Sequence, residues 1–192
     1  MESLRYITND MRHAALYNYT WNNDTEKSIM KAFAEGENDK SVYLYGKPGV
    51  GKTHLFVGMY RYLAQQYHEG PDGISIFCGV TSWNMIVPLF REMLLNKTPW
   101  EKEVLYYARS KFLFIDDLSL KPGKFECEVF RYLLEACYNS GTRMFVTSNI
   151  RCDALSGLLD VHTMSRFNHM FVTHEIVSTD YRKRVRDLNK NE

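Results

Sequence analysis

Short unbroken runs of hydrophobic residues alternate along the chain with stretches in which hydrophobic residues recur every three or four positions. The unbroken runs predict five strands, at residues 42–45, 74–78, 112–117, 143–147 and 170–176. The helical spacing predicts helices at residues 54–63, 83–94, 103–110 and 125–139, and shorter ones at residues 152–159 and 164–167. Strands that alternate with helices are typical of an α/β sandwich around a parallel sheet.

Polar residues, glycine and proline predict where other helices begin and end. A polar stretch at Asp24 predicts the start of another helix, and Gly36 predicts its end. We expect residues 1–40 to form an N-terminal helical extension and residues 41–192 to form the main domain. Pro88 lies inside a helical pattern and predicts a kink or an early end of that helix.

The composition is that of a folded protein with balanced charge. Of the 192 residues, 45% are hydrophobic and 14% are aromatic, which argues against a disordered chain and suits one domain. The 24 Lys and Arg residues nearly balance the 23 Asp and Glu residues, so any contact with nucleic acid must come from a local patch.

The cysteines and the hydrophobic runs indicate the cellular compartment of the protein. Four cysteines lie far apart without a C-x-x-C pair, namely Cys78, Cys127, Cys137 and Cys152. This spacing favours a reducing compartment over a disulfide framework or a zinc site. There is no N-terminal signal pattern, and no apolar run approaches the roughly 20 residues of a membrane span. We therefore expect a soluble, cytoplasmic protein without membrane contact.

The strongest chemical signal is a glycine-rich loop at residues 46–53. It reads GKPGVGKT, which matches the phosphate-loop pattern G-x-x-x-x-G-K-[ST], and it lies between a predicted strand and a predicted helix. Glycines here let backbone N–H groups turn toward phosphate oxygens, and a helix that starts near Lys52 adds its unpaired amides. Lys52 would neutralise the β- and γ-phosphates, and the Thr53 hydroxyl would hold Mg²⁺. The loop predicts a site for a nucleoside triphosphate.

A second chemical signal is the pair of acids that ends the predicted strand at residues 112–117. In phosphate-loop ATPases such a strand brings its first acid to the Mg²⁺ shell, which suits Asp116, while Asp117 is placed to orient or deprotonate the attacking water. The alternative is a strand that ends in a solvated acidic turn. Asn149 follows the next predicted strand, where its amide would reach between the acids and the γ-phosphate or would serve only as a turn residue.

In these motifs the chain resembles an AAA+ ATPase, and within that class it resembles the DnaC/DnaI-type replicative helicase loaders. The resemblance rests on five segments: residues 46–53 as Walker A, 112–117 as Walker B, 147–149 as sensor 1, 165–166 as the arginine-finger segment and 181–185 as a terminal Y-R-x-R-V element. It implies a three-layer α/β/α sandwich with a five-stranded parallel sheet and with the lid domain absent or reduced. It further implies that ATP or ADP with Mg²⁺ binds between subunits of a homo-oligomer.

The resemblance also assigns residues to roles. Nucleotide would be bound by Gly46, Lys47, Pro48, Gly49, Val50, Gly51, Lys52, Thr53, His54 and Arg182. Thr53 and Asp116 would hold the metal, and Asp117, Asn149 and Arg166 would be catalytic. Arg166 would reach the γ-phosphate held by a neighbouring subunit, with an ordinary surface arginine as the alternative. Arg182 would be the sensor-2-type arginine, with Arg184 or a solvated basic helix end as alternatives.

The implied partners are a hexameric replicative DNA helicase and single-stranded DNA. Trp83 would stack on a base and Lys121 or Lys124 would meet phosphate, although a Trp on an apolar helix face is often a core residue. Two departures from the family matter. Only residues 1–40 precede the ATPase region, which suggests a compact phage or mobile-element version, and Walker B ends in Asp-Asp, which suggests slow hydrolysis.

Three other functions are compatible with these motifs. One is an IstB-like transposition ATPase that acts with a transposase on duplex DNA. Another is a nucleotide-binding regulator that occupies a replication initiator or loader and hydrolyses little. A small-molecule kinase is disfavoured, because no arginine-rich lid insertion is present.

Overall fold

The computed structural model describes residues 11, 13–67, 78–123 and 125–179, and its centre is a five-stranded sheet. The strands are β1 (Ser41–Tyr45), β2 (Cys78–Ser82), β3 (Phe112–Leu118), β4 (Arg143–Ser148) and β5 (Phe171–Glu175). Every neighbouring pair is parallel, in the order β2-β3-β4-β1-β5. The predicted five-stranded parallel sheet is therefore confirmed.

Helices cover both faces of this sheet. They are α1 (Asp24–Glu35), α2 (Lys52–Tyr67), α3 (Trp83–Leu95), α4 (Glu101–Ala108), α5 (Phe125–Ser140), α6 (Cys152–Leu155) and α7 (Val161–Met170). Residues of α1 and α2 share one buried cluster with the sheet, and residues of α3, α4, α5 and α7 share the other. This is the three-layer α/β/α arrangement, in which β3 and β4 are buried on both faces, as unbroken apolar runs predict.

The cluster beneath α1 and α2 is built from aromatic rings. Phe114 of β3 and Phe145 of β4 stack with their ring centroids 5.2 Å apart. Phe33 of α1 meets both rings edge-on, and Phe56 of α2 does the same. Large rings on neighbouring strands therefore fix the helices that carry the N-terminal segment and the phosphate loop to the same part of the sheet.

Several predicted boundaries shift in the structure. Residues 74–77 of the predicted second strand lie outside the described residues, and β2 itself extends to Ser82, whose hydroxyl accepts the Asn84 N–H at 3.3 Å and caps α3. The predicted early end at Pro88 is wrong, because α3 continues to Leu95. Pro88 is exposed, so the sheet-facing side of α3 still packs and holds the helix together across the missing N–H.

The segment before β1 is tied to the phosphate-loop helix. Arg61 of α2 donates to the Ala14 carbonyl at 2.8 Å, and a Cβ added at Gly58 would lie only 2.9 Å from the Leu16 nitrogen. Gly58 therefore permits a close approach of backbone to helix that no larger residue allows. The predicted boundary at residue 40, between an N-terminal extension and the main domain, stays a prediction. Helix α1 precedes that boundary and contributes Phe33 to the core.

Among the described residues, no helix is long and apolar enough to cross a membrane.

A buried polar cluster joins this segment to β5. The Glu26 side chain of α1 is fully buried, accepts a hydrogen bond from the Asn22 amide at 2.8 Å, and lies 3.8 Å from His174 Nε2. Burial raises the pKa of Glu26, but the nearby side chains of His174, Asn22 and Tyr19 outweigh this effect, so the net pKa is lowered from its ordinary value of 4.5. The fold thus favours an ionised Glu26.

Replacing Glu26 by Gln should lower the free energy of unfolding by about 1–3 kcal/mol at about pH 6, because the variant keeps the shape but loses a buried, hydrogen-bonded charge. Since the folded pKa is the lower one, this contribution is present above pH 4.5 and is lost as the pH falls through the folded pKa. Urea unfolding of both proteins across this range measures it. Glu37→Gln, at an exposed acid, is the control, and a Glu26→Gln deficit that is constant with pH would contradict the prediction.

Candidate functional site

The glycine-rich loop between β1 and α2 has the backbone that a phosphate-binding loop needs. Gly46, Gly49 and Gly51 have φ values of 151°, 82° and 105°, a region that side-chain-bearing residues rarely adopt. A Cβ added at Gly46 would lie 2.5 Å from the carbonyl oxygen of Ile176, so the residue must also be small. Because α2 begins at Lys52, the unpaired amides of its first turn face the loop.

Lys52 lies within this loop and connects it to the end of β4. Its side chain is buried, and its Nζ donates to the carbonyls of Gly46 at 2.8 Å and Lys47 at 2.9 Å. It also donates to Asn149 Oδ1 at 2.8 Å. The structure therefore brings the predicted phosphate-binding cation and the predicted sensor amide into direct contact, although they are 97 residues apart in the sequence.

Thr53 and Asp116 also come together. The Thr53 hydroxyl lies 3.4 Å from both carboxylate oxygens of Asp116, at the carboxyl end of β3. Burial and the charge of Asp117 raise the pKa of Asp116 above its ordinary value, although hydrogen bonds from Thr147 and Thr53 and the charge of Lys52 oppose this rise. A hydroxyl and one carboxylate are hard oxygen ligands that suit Mg²⁺ shared with a nucleotide. In the described part of the chain, no group of three or more His, Cys, Asp or Glu side chains forms a complete metal cage.

The second acid, Asp117, has an unusual backbone. Its φ is 57°, in the left-handed region, and its side chain is exposed beside the loop. The Asn149 amide donates to Asp117 Oδ1 at 3.2 Å, while the Asn149 oxygen accepts from Lys52. Asn149 therefore links Lys52, the predicted phosphate-binding lysine, to the acid that faces solvent.

Sequence reasoning included Thr147 in the sensor 1 segment but gave it no role of its own. Its hydroxyl contacts the Asp116 carboxylate and the Asp117 backbone N–H, and it is 1% exposed. The available signal was a hydroxyl residue at the buried end of the strand next to the one that carries the acids. Such a residue reads as an ordinary strand Thr, because only the strand order makes it a neighbour of the acids.

Within the single chain, two predicted site residues, Arg166 and His54, contact residues other than the phosphate loop and the acids. The predicted site residue Arg182 is not among the described residues. Arg166 on α7 contacts Glu135 at 3.5 Å and lies 5.8 Å from the ring centre of Tyr138, both on α5. His54 Nε2 lies 3.1 Å from the Ala15 carbonyl oxygen. Arg182 and Arg184 fall outside the described residues. Nucleotide-related roles for these residues stay predictions.

The N-terminal segment covers the outer side of the phosphate loop. A Cβ added at Gly51 would lie 3.0 Å from the Tyr19 ring, so this ring packs directly on the loop. Tyr19 also meets the rings of Trp21 and His54 edge-on, with centroids 5.2 and 5.3 Å away. Burial, and then the nearby Glu26 carboxylate, raise the pKa of Tyr19, which keeps its hydroxyl neutral.

The predicted stacking of a DNA base on Trp83 is not compatible with the structure. Trp83 is 2% exposed and packs edge-on against Phe130, with ring centroids 6.2 Å apart. The core alternative for this residue is therefore correct, because the first turn of α3 faces the sheet. Lys121 is exposed, and Lys124 lies outside the described residues.

Comparison with known proteins places the chain in a family. The model for the bacterial DnaA ATPase domain matches residues 21–174. The chromosomal replication initiator protein DnaA of Deinococcus radiodurans is 28% identical over 173 residues, which cover 88% of this chain and 35% of that protein. DnaA of Synechocystis sp. is 26% identical over 185 residues, which cover 95% of this chain and 36% of that protein. The chain thus spans about a third of the length of these relatives.

Solved structures share the fold. The DnaC helicase loader superposes with a TM-score of 0.71 at 19% identity, over 88% of this chain and 100% of that chain. DnaI gives a TM-score of 0.67 at 22% identity, over 91% and 94%. DnaA from Aquifex aeolicus bound to AMPPCP gives 0.70 at 20% identity, over 94% and 56%. The resemblance to DnaC/DnaI-type AAA+ proteins is confirmed at the level of the fold.

The family match spans α1, the phosphate loop, both acids and Asn149, and ends in β5. It thus covers the glycine-rich loop and the residues that converge on it, while Tyr19 and Ile176 lie just outside the match. The chain belongs to the family of bacterial DnaA ATPase domains.

Proposed function

We propose that this protein is an ATPase that loads a hexameric replicative DNA helicase onto single-stranded DNA during replication initiation. The observation that carries the proposal is the assembly of Lys52, Thr53, Asp116 and Asn149 around one loop. It is supported by the likeness to the DnaC helicase loader, whose whole chain is covered by this fold. Nucleotide is hydrolysed at sites between subunits of a homo-oligomer.

The chain's own groups account for the steps of ATP hydrolysis. The amides at the start of α2 hold the phosphates, and the Lys52 ammonium exchanges a carbonyl partner for a phosphate oxygen. Thr53 and Asp116 would hold Mg²⁺, which would supply positive charge to the phosphates. The Asp117 carboxylate orients a water molecule and accepts its proton, and Asn149 keeps that carboxylate beside Lys52.

The site requires one more cation for rapid hydrolysis, and Arg166 suits this role from a neighbouring subunit. Its side chain is 36% exposed on the surface of α7, where Glu135 pairs with the guanidinium. A surface arginine held by one exposed carboxylate changes partners at little cost, because such ion pairs contribute about 0–1 kcal/mol. A cation added from outside stabilises charge in the transition state and couples hydrolysis to assembly.

The choice of DNA partner rests on relatives. One DnaA structure of the same fold is bound to AMPPCP and single-stranded DNA, with a TM-score of 0.69. In this chain the exposed Asn84 at the start of α3 and the exposed Lys121 after β3 are available to a strand. These polar and basic groups suit contacts with the phosphate backbone.

A second function is a nucleotide-dependent regulator that occupies a replication initiator. It is favoured by the family match itself, since the matching family and the curated relatives are DnaA initiators. AAA+ chains of one family assemble through alike surfaces, so a chain with this domain would insert into a DnaA assembly. An IstB-like transposition ATPase has no observation in its favour beyond the shared nucleotide motifs.

Replacing Lys52 by Ala should weaken binding of ATP and ADP about tenfold or more, because a charge-assisted hydrogen bond to phosphate is worth about 1.5–3 kcal/mol. Titration of a fluorescent nucleotide analogue measures the change. Lys102→Ala, at an exposed lysine of α4, is the matched control and should bind nucleotide as the wild type does. Equal affinity of Lys52→Ala and the wild type would refute a nucleotide site at this loop.

Replacing Arg166 by Ala should reduce ATP hydrolysis about 100-fold or more at concentrations where the protein assembles, and should leave nucleotide affinity unchanged. Mixing this variant with Lys52→Ala should restore part of the activity, because an intact loop from one variant then meets Arg166 from the other. Arg109→Ala, at an exposed arginine, is the control. If mixing restores nothing, Arg166 does not act between subunits.

Immobilised protein should capture a hexameric replicative helicase from the lysate of its host in the presence of ATP. The Lys52→Ala variant, which we expect to bind nucleotide more weakly, should capture much less of it. Mass spectrometry of the bound proteins identifies the partner. Capture of an initiator instead of the helicase would support the regulator, and capture of a transposase together with duplex DNA would support the transposition ATPase.

A further inference from the structure

The acids of the site lie in a bulge of the sheet. Along β3 and β4 the register pairs Ile115 with Val146, and the next pair is Leu118 with Ser148. Two residues of β3, Asp116 and Asp117, therefore face a single residue of β4, Thr147. Such bulges beside active sites turn a side chain out of the regular alternation. Here the bulge buries Asp116 and exposes Asp117.

One hydroxyl group holds both members of this bulge. The Asp117 backbone N–H donates to Thr147 Oγ1 at 2.9 Å, so in that bond the hydroxyl oxygen is the acceptor. The hydroxyl hydrogen then remains for the Asp116 carboxylate, to which Thr147 donates. The two bonds use complementary capacities of the same group, and neither meets water because Thr147 is 1% exposed.

Each bond acts on a feature that the site needs. The left-handed backbone of Asp117, with φ at 57°, is uncommon for a residue with a side chain and requires support from its surroundings. The bond to its N–H supplies that support and directs the carboxylate toward Asn149. The bond to Asp116 fixes the orientation of its carboxylate beside the Thr53 hydroxyl.

The neighbouring hydroxyl has a different task. Ser148 donates to the Leu118 carbonyl at 2.7 Å and accepts the Ile150 N–H at 2.9 Å, so it satisfies backbone groups on either side of the bulge. Its bonds reach neither acid. Of these two adjacent hydroxyl groups, Thr147 alone contacts the groups that would hold metal and orient water.

We propose that Thr147 is a positioning residue that sets the Mg²⁺ affinity and the hydrolytic competence of the site by fixing Asp116 and Asp117 through one hydroxyl group. The inference deepens the proposed ATPase function and rests on it. It assigns Thr147 no contact with nucleotide. Loss of the hydroxyl should therefore act on metal dependence and turnover and should spare nucleotide binding without metal.

The test compares Thr147→Val, which keeps the shape but removes the hydroxyl, with Thr147→Ser, which keeps the hydroxyl. In Thr147→Val the Mg²⁺ concentration for half-maximal enhancement of ADP binding should rise about tenfold or more, because the Asp116 carboxylate loses the hydrogen bond that fixes its orientation. In excess EDTA, affinity for ADP should change less than about twofold, which is under 1 kcal/mol, because Thr147 is assigned no contact with nucleotide. Thr147→Ser should restore most of the Mg²⁺ dependence.

Hydrolysis gives an independent measurement. In Thr147→Val kcat should fall about tenfold or more while KM changes little, because Asp116 and Asp117 both lose the hydroxyl group that fixes them. Thr142→Val is the matched control. Thr142 is a buried Thr at the other end of the same strand region, and its hydroxyl donates to the carbonyls of Ala108 and Ser110. The Thr142→Val variant should lose stability without a change in the Mg²⁺ dependence of ADP binding.

Several results would overturn the inference. These are an unchanged Mg²⁺ dependence in Thr147→Val, an equal defect in a folded Thr147→Ser, or the same shift in Thr142→Val. Thr147→Ala replaces the valine variant if that protein folds poorly, since it places no methyl group against the carboxylate. A wild-type protein that binds nucleotide independently of Mg²⁺ would also overturn it. Normal Mg²⁺ dependence without helicase capture would overturn only the proposed loading function.

Discussion

The parallel pairing of β4 between β3 and β1 is the constraint on which the site depends. Parallel strands all end at one edge of the sheet, so the phosphate loop after β1, the acids at the end of β3 and Asn149 after β4 converge there. The contacts of Lys52 with Asn149 and of Thr53 with Asp116 follow from this order. If β4 were antiparallel, the amide would lie at the opposite edge.

Residues outside the sheet also form part of the site. Tyr19 packs on Gly51, and Glu26 with His174 ties the same N-terminal segment to β5, the strand beside β1. The loop is therefore enclosed between α2, the end of β5 and a segment that precedes the first strand. Glycines are required where these parts approach most closely, because a Cβ would meet backbone or a ring there.

Much of the fold was predictable because local signals agreed with it. The apolar runs and the helical spacing predicted β1, β3, β4, β5 and helices α2–α7 with boundary shifts of a few residues, whereas the strand predicted at residues 74–78 shares only Cys78 with β2. The motif residues identified the edge at which the strands would meet. Roles of individual site residues remain predictions. Contacts that depend on strand order were not predictable, and Thr147 is the clearest case: it becomes a neighbour of Asp117 only when β4 pairs with β3. Trp83 and Pro88 were ambiguous because sequence spacing does not say which face of α3 meets the sheet.

The packing of Tyr19 against Gly51 has a thermodynamic consequence. A ligand that changes the position of the loop changes the contact surface offered to residues 13–22, and the reverse is equally true. Any protein that binds this segment differently in the two arrangements must alter nucleotide affinity, and nucleotide must alter the affinity for that protein by the same factor. This coupling between nucleotide and a protein partner requires no movement of a domain. It requires only the contact between the Tyr19 ring and Gly51.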